Sequence, residues 1–217
     1  CPEVNESPAV GSARSTARSS ARKPSCLSVN SRCTCRLEMS SPMSWTSRVS
    51  RGWRSLARAI TALELGEADA KFRESLHKAA DTAKVPTLGV TGTGGSGKSS
   101  LCDELIRRIR LDQSDQLNIA VISIDPSRRT SGGALLGDRI RMNAINAWSD
   151  GPKVYMRSLA TREAGKEISH ALPDAIAACK VAGFDLVIIE TSGIGQGDAA
   201  IVQHVDTTLY VMTPEYG

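Results

Sequence analysis

The chain has 217 residues, of which 41% are hydrophobic, so it is long and apolar enough to build one domain with a core. It contains no run of about eighteen apolar residues and does not open on a charged stub followed by an apolar stretch, so it lacks the patterns of a membrane span and of a secretory signal. Its net charge of +4 is uneven, because residues 1–60 hold ten Lys/Arg and three Asp/Glu (+7) and the other 157 residues therefore carry −3.

The positive charge lies in a stretch that is rich in Ser, Arg, Thr and Pro and shows neither a helical nor an alternating period. We interpret residues 1–52 as a disordered or non-native tail, and we expect no nucleic-acid binding, no membrane binding and a cytoplasmic location. Four of the six cysteines fall in this tail, and Cys33-Thr-Cys35 has the wrong spacing for a zinc site. We therefore expect reduced thiols.

Residues 53–84 have the period of a helix and form a predicted helical linker. Apolar residues recur there at spacings of three and four, and Gly66 divides the pattern into two helices. The predicted packing stripe consists of Trp53, Leu56, Ile60, Leu63, Leu65, Phe72, Leu76 and Ala79.

Residues 85–217 alternate short apolar runs with longer amphipathic segments. The predicted strands are Thr87–Thr91, Asn118–Ile124, Phe184–Glu190 and Thr207–Thr213, and the predicted helices are Lys98–Leu111, Asp138–Trp148 and Lys166–Ala182. Strands rich in Val, Ile and Leu that alternate with helices predict an α/β fold with a doubly wound, mostly parallel sheet. We expect the P-loop NTPase type of this fold, C-terminally incomplete.

The strongest motif is the run from Gly92 to Ser99, which satisfies G-x-x-x-x-G-K-[ST] between a predicted strand and a predicted helix. Glycines let the backbone N–H groups turn around a phosphate, and the helix that follows presents its N-terminus to the anion. Lys98 supplies a positive charge to the β- and γ-phosphates, and the Ser99 hydroxyl is the expected Mg²⁺ ligand. The residues expected to contact the nucleotide in this loop are Gly94, Gly95, Ser96, Gly97, Lys98, Ser99 and Ser100.

Two further predicted strands end in a carboxylate, Asp125 after one and Glu190 after the other. Hard Mg²⁺ prefers oxygen ligands, so two such carboxylates beside a P-loop predict a metal site. The segments that follow, Asp125–Met142 and Ser192–Asp198, are polar and hinged by glycines. We interpret them as switch I and switch II, with ordinary surface loops as the alternative.

Residues Gly89–Gly217 resemble the G3E class of P-loop GTPases that act as chaperones of cobalamin-dependent mutases. The motifs that carry the resemblance are Thr91–Ser100, Asp125-Pro126-Ser127, Gly132-Gly133, Leu136-Gly137-Asp138, Arg141-Met142 and Glu190-Thr191 with Gly193, Gly195 and Gln196. Within that class, Met156–Arg162 and Val211–Gly217 are most similar to the GTPase domain that is fused to isobutyryl-CoA mutase.

The resemblance implies GTP and Mg²⁺ as ligands, and adenosylcobalamin for partner domains only. It implies that the catalytic residues are Lys98, Asp138 and Glu190, and that Arg141 reaches the phosphates. Mg²⁺ would be surrounded by Ser99, Asp125, Asp138 and Glu190, with backbone help near Ile124 and Thr191. The implied partners are acyl-CoA mutase and cobalamin-binding domains, in cis or in trans, and the full-length protein is expected to be a homodimer.

The 217 residues contain no Asn-Lys-x-Asp guanine-reading motif, so the expected preference for GTP rests on the resemblance alone. Two other readings stay open at this point: a P-loop small-molecule kinase and a non-catalytic nucleotide-binding subunit. Gln196 could orient the attacking water, but a Gln after a glycine-rich turn can equally stabilise the backbone.

Overall fold

The computed structural model describes residues 52–126, 142–145, 153–161, 169–193 and 200–214. Within these ranges it contains four α-helices, five strands and two short 3₁₀ turns. The helices are α1 (Trp53–Glu64), α2 (Ala70–Thr82), α3 (Lys98–Asp112) and α4 (Leu172–Val181). The strands are β1 (Thr87–Gly92), β2 (Ile119–Pro126), β3 (Val154–Thr161), β4 (Leu186–Glu190) and β5 (Thr207–Val211), and the 3₁₀ turns are Asn143–Ile145 and Ile201–His204.

All strand pairs are parallel, and the five strands form one sheet in the order β3-β2-β4-β1-β5. Val90 pairs with Glu190, and Ser123 pairs with Glu190 from the other side. The carboxyl ends of β1, β4 and β2 therefore meet at one edge of the sheet, where ligands bind in open α/β folds. The predicted α/β class with a parallel sheet is confirmed.

Both faces of the sheet are covered, because alternate strand residues point to opposite sides. Ala120, Ile122 and Ile189 pack with α1, α2 and α4 on one face, whereas Val121 and Ile188 pack with α3 on the other. Burial on both sides explains why these strands are apolar runs without a polar face.

The predicted helices at residues 53–83 are confirmed as α1 and α2, with Gly66 at a φ of 71° between them. Asp69 caps α2, since its carboxylate accepts a hydrogen bond from the Phe72 amide at 2.7 Å. Leu65 does not belong to the packing stripe, because it follows the last turn of α1 and is 48% exposed. The division between a linker at 53–84 and a domain at 85–217 stays a prediction.

The helices and strands predicted from the sequence differ from the structure in three places. The strand β3 was not predicted, although it completes one edge of the sheet beside β2. Residues 169–171 are not helical, and α4 begins at Leu172 rather than Lys166 because Pro173 suits a first helical turn. Asn143–Ile145 form a 3₁₀ turn instead of part of an α-helix.

The tail at residues 1–51 and most of the two switch-like segments lie outside the described residues. Among the helices that are described, none is both long and apolar enough to cross a membrane. The edge strand β5 carries exposed apolar side chains: Leu209, Tyr210 and, just beyond the strand, Met212.

Leu56→Ala should lower the free energy of unfolding of the chain by about 2–5 kcal/mol, because the Leu56 side chain in α1 is completely buried in the layer that α1 shares with the sheet. Arg58→Ala on the exposed side of the same helix is the matched control, with an expected change within about 0.5 kcal/mol. Urea unfolding measures both. Equal stabilities of the two variants would show that α1 is not part of the cooperative fold.

Candidate nucleotide-binding site

The loop from β1 to α3 leaves backbone donors open to solvent. Gly95 and Gly97 have φ angles of 78° and 85°, in the left-handed region that favours glycine, and both are exposed together with Gly94. Gly97 is the N-cap residue of α3, so the N–H groups of the first turn have no acceptor within the helix. Such a turn offers several N–H donors and the positive end of a helix dipole to an anion.

Lys98 folds back across this loop. Its side chain is buried, with the residue 6% exposed, and Nζ donates hydrogen bonds to the carbonyl oxygens of Gly92 at 3.1 Å and Thr93 at 2.8 Å. An ammonium has three donors, so these two bonds leave one donor without a partner in the described part of the chain. The charge is therefore held at the inner side of the loop and keeps a donor for a ligand.

Gly193, in the turn after β4, lies directly against this lysine. Its φ is 74°, and a Cβ placed there would overlap Lys98 Nζ and would come within 2.6 Å of the Gly92 carbonyl oxygen. A side chain at position 193 would therefore displace Lys98 or open the loop.

Glu190 ends β4 and meets the first turn of α3. Its Oε1 accepts a hydrogen bond from Ser99 Oγ at 2.6 Å, and the residue is only 3% exposed. Burial, together with the negative charge of Glu190, raises the pKa of the nearby Cys102 thiol to about 12. Cys102 is therefore a neutral thiol at physiological pH.

Two threonines join the strands under the site. The Thr191 hydroxyl bonds to the Thr91 hydroxyl at 3.0 Å, and the Thr191 amide donates to the Val90 carbonyl at 3.0 Å. These bonds extend the β1–β4 ladder one residue beyond Glu190, so the start of the switch II-like segment is fixed to the P-loop strand.

The residues present fit a phosphate group and a hard divalent metal. Thr93 Oγ1 and Ser96 Oγ are buried and have no hydrogen-bond partner within the described ranges, which leaves two hydroxyls at the loop for a ligand. An octahedral Mg²⁺ with oxygens at 2.0–2.1 Å holds neighbouring ligands about 2.9 Å apart. The Ser99 and Glu190 oxygens need to separate by only a few tenths of an ångström from 2.6 Å to match this spacing.

The structure brings together the P-loop residues, Glu190 and Thr191 among the predicted site residues. The backbone of Asp125 continues β2 two residues beyond Ser123, the partner of Glu190, so it reaches the same edge next to the buried Ile124. The Asp125 side chain lies outside the described residues, and so do Asp138, Arg141 and Gln196. Within the described ranges no three His, Cys, Asp or Glu side chains form a metal-ligating cluster.

Sequence reasoning missed the contact of Gly193 with Lys98 and the pair of Thr91 with Thr191. The sequence shows Gly193 as a glycine hinge after Glu190. It does not show the contact with Lys98, because Lys98 is 95 positions earlier in the chain. A cavity of about 700 Å³ lies at the other edge, where β1 and β5 begin. None of the predicted site residues line it, so we do not assign the nucleotide to it.

The family model that describes the methylmalonyl-CoA mutase-associated GTPase MeaB matches residues 56–217. The chain belongs to this family. The match includes every predicted site residue, so the expected resemblance is confirmed at the level of the family.

Two relatives agree with this assignment, and a solved structure shares the fold. The chain is 68% identical to a fused isobutyryl-CoA mutase of Cupriavidus metallidurans over 86% of its own length and 17% of the relative's. It is 64% identical to a fused isobutyryl-CoA mutase of Paraburkholderia xenovorans over 76% of its length and 13% of the relative's. The crystal structure of a LAO/AO transport system kinase superposes with a TM-score of 0.51 over 81% of this chain and 51% of that chain at 23% identity, which supports the fold alone.

Gly193→Ala should weaken nucleotide binding at least about tenfold, which corresponds to about 1.4 kcal/mol, because the new Cβ displaces the Lys98 amino group. Gly183→Ala is the matched control, since Gly183 also has a left-handed φ of 84° but has open space around its Cβ position. Both variants should lose about 1–2 kcal/mol of stability through backbone strain. Titration calorimetry with a nucleoside triphosphate compares them, and equal affinities would refute the contact as a binding determinant.

Proposed function

We propose that this chain is a Mg²⁺-dependent GTPase module that couples its nucleotide state to the loading or protection of the cofactor of an adenosylcobalamin-dependent acyl-CoA mutase. The observation that carries the GTPase part is the contact of Ser99 with Glu190 at 2.6 Å beside the loop that holds Lys98. A lysine, a hydroxyl and a carboxylate thus lie within one small region of the sheet edge, which supports a site for a phosphate and its metal.

The proposed site residues have two roles, the binding of the phosphates and the binding of the metal. The loop N–H groups and Lys98 bind and orient the phosphates, and Arg141 is proposed to add a second positive charge. Ser99 and Glu190 would hold Mg²⁺, together with Asp125 and Asp138 and with backbone groups near Ile124 and Thr191. When bound, Mg²⁺ neutralises charge on the β- and γ-phosphate oxygens.

The proposed partner follows from the family and from the names of the relatives. The family is described as associated with methylmalonyl-CoA mutase, and the two relatives are named as fused isobutyryl-CoA mutases. The chain spans 17% and 13% of those relatives, which leaves room in such proteins for mutase and cobalamin-binding domains. We propose that these domains act on the switch-like segments, in the same chain or in trans, within a homodimer.

Glu190→Gln and Asp138→Ala should reduce Mg²⁺-dependent GTP hydrolysis about ten- to a hundredfold, because each removes a negative oxygen ligand from the metal. Nucleotide binding without Mg²⁺ should stay within about threefold, since the loop and Lys98 are unchanged. Phosphate release at several Mg²⁺ concentrations and calorimetry in chelator measure the two effects.

Glu104→Gln is the control for these variants, because Glu104 lies on α3 and pairs with Arg107 and Arg108 on an exposed surface. It should leave both measurements unchanged. Unaltered hydrolysis in both the Glu190 and the Asp138 variants at saturating Mg²⁺ would show that these carboxylates do not serve the metal.

The nucleotide base and the partner are tested with the full-length gene product that contains this chain. It should bind GTP in preference to ATP in a competition experiment. A site whose polar groups form hydrogen bonds with guanine would leave some of those groups unpaired when adenine is bound. Its turnover should change when the mutase and cobalamin-binding domains are removed or added back, because the γ-phosphate biases the switch segments.

Three results would redirect the assignment. A preference for ATP, or phosphate transfer to an added acceptor, would support a P-loop kinase. Binding without turnover would support a non-catalytic nucleotide-binding subunit. A GTP turnover rate that does not change when the mutase and cobalamin-binding domains are removed or added back would support a GTPase without a chaperone role.

A further inference from the structure

Thr91 and Thr191 form a pair of buried hydroxyls where β1 and β4 end. The two residues are 1% and 7% exposed, and their hydroxyl oxygens lie 3.0 Å apart in a hydrogen bond. A buried hydroxyl is costly unless it is bonded, and two valines would fill the same space without that cost. Packing of the sheet alone therefore gives no reason for hydroxyls at these positions. Unlike a contact between valines, the hydrogen bond fixes the distance and direction between the two strands at this point.

The hydroxyl pair lies on the face of the sheet opposite the contact of Glu190 with Ser99. Alternate strand residues point to opposite faces, and Val90 packs with α3, so the next residue, Thr91, points to the layer of α1, α2 and α4. Glu190, the partner of Val90 in the sheet, points to α3 and bonds there to Ser99. Glu190 and Thr191 are thus held from opposite faces, and the chain at this point cannot rotate about the strand axis without breaking one of the two bonds.

The residues that follow Thr191 lie directly on the P-loop. A Cβ at Gly193 would overlap Lys98 Nζ and would come within 2.6 Å of the Gly92 carbonyl oxygen, so the backbone of Gly193 is in close contact with the loop. Gly193 follows Thr191 by two residues, which span at most about 7 Å of chain. The hydroxyl pair and the contact on the loop are therefore parts of one short stretch, and a shift of Thr191 changes the fit of Gly193.

We propose that Thr91 is a positioning residue for nucleotide hydrolysis, which holds residues 190–193 on the P-loop through the hydroxyl of Thr191. This inference rests on the proposed function, and it assigns no contact of Thr91 with the nucleotide or the metal. Without the hydroxyl pair, Glu190 keeps its bond to Ser99 on one face but loses the restraint from the other face. A displacement of about 1 Å in a catalytic group can cost on the order of a hundredfold in rate, so the loss should appear in turnover more than in binding.

The test replaces Thr91 by valine, which has nearly the same shape and also suits a strand. Thr91→Val in the full-length gene product should lower kcat for GTP about tenfold or more. KM and the Kd for nucleotide without Mg²⁺ should change less than about threefold, since Lys98 keeps its bonds to the loop. Thr91→Ser keeps the hydroxyl and should retain most of kcat. Thr191→Val removes the same bond, so the double variant should be no slower than Thr191→Val alone.

Thr87→Val is the matched control, because Thr87 lies on the same face of β1 at its other end. Thr87 is 3% exposed, and its hydroxyl donates to the Asp206 carboxylate at 2.8 Å. Thr87→Val should lower the melting temperature at least as much as Thr91→Val, since it leaves a carboxylate with one partner fewer. It should leave kcat within about twofold. A further measurement does not need turnover: amide hydrogen exchange at residues 190–193 should be faster in nucleotide-free Thr91→Val than in the wild type and in Thr87→Val.

The outcomes separate this inference from the function on which it rests. Wild-type kcat in Thr91→Val, an equal loss of kcat in Thr87→Val, no recovery in Thr91→Ser, or a double variant slower than Thr191→Val would overturn the positioning role. Unchanged hydrogen exchange at residues 190–193 would also overturn it, and so would a fall in kcat that is matched by an equal loss of nucleotide affinity. All these results would leave the GTPase function intact, whereas a wild-type protein that does not hydrolyse GTP would overturn both proposals.

Discussion

The parallel pairing of β1 with β4 is the constraint on which the site depends. Glu190 pairs with Val90 and lies on the same side of the sheet as Ile188, which faces α3. Only this register lets its carboxylate reach Ser99 on the first turn of that helix. A slip of one residue would point the Glu190 side chain to the other face of the sheet, into the apolar layer that α1, α2 and α4 form. A charge without a partner is costly there. The apolar neighbours of Glu190 therefore select the register that brings its carboxylate to Ser99.

Charged groups also fix how helices sit on the sheet. Arg157 on the edge strand β3 donates to Glu64 of α1 at 2.8 Å and to the Thr61 hydroxyl at 3.1 Å, and the second Glu64 oxygen accepts the Ala160 amide at 3.4 Å. The Glu64 carboxylate thus accepts a hydrogen bond from a backbone amide of an edge strand. Without it, this amide would be free to pair with a strand of another chain. Apolar packing tolerates small shifts of a helix along the sheet, whereas a network of this kind defines one position.

The sequence was sufficient to predict those parts of the fold that depend on local pattern. The P-loop lies between β1 and α3 as expected, and the four predicted strands were visible as apolar runs: β1, β2 and β4 inside the sheet and the largely exposed edge strand β5. The strand β3 was missed because Arg157 and Ser158 interrupt its apolar residues, and the partner that makes Arg157 acceptable, Glu64, is 93 positions earlier. The fit of Gly193 against Lys98 and the bonds from Asp103 and Arg110 to the backbone of Ala144 escaped prediction for the same reason, since each depends on a contact between distant parts of one chain.

These distant contacts converge on α3. Its first residue, Lys98, bonds to the P-loop carbonyls and leaves no room for a side chain at position 193, just after β4. Asp103 in its second turn and Arg110 in its fourth bond to the backbone of Ala144, just after the segment that follows β2. The P-loop helix is therefore in direct contact with the beginning of one switch-like segment and with the end of the other. Since a helix of four turns bends little, α3 sets the spacing between these two contacts.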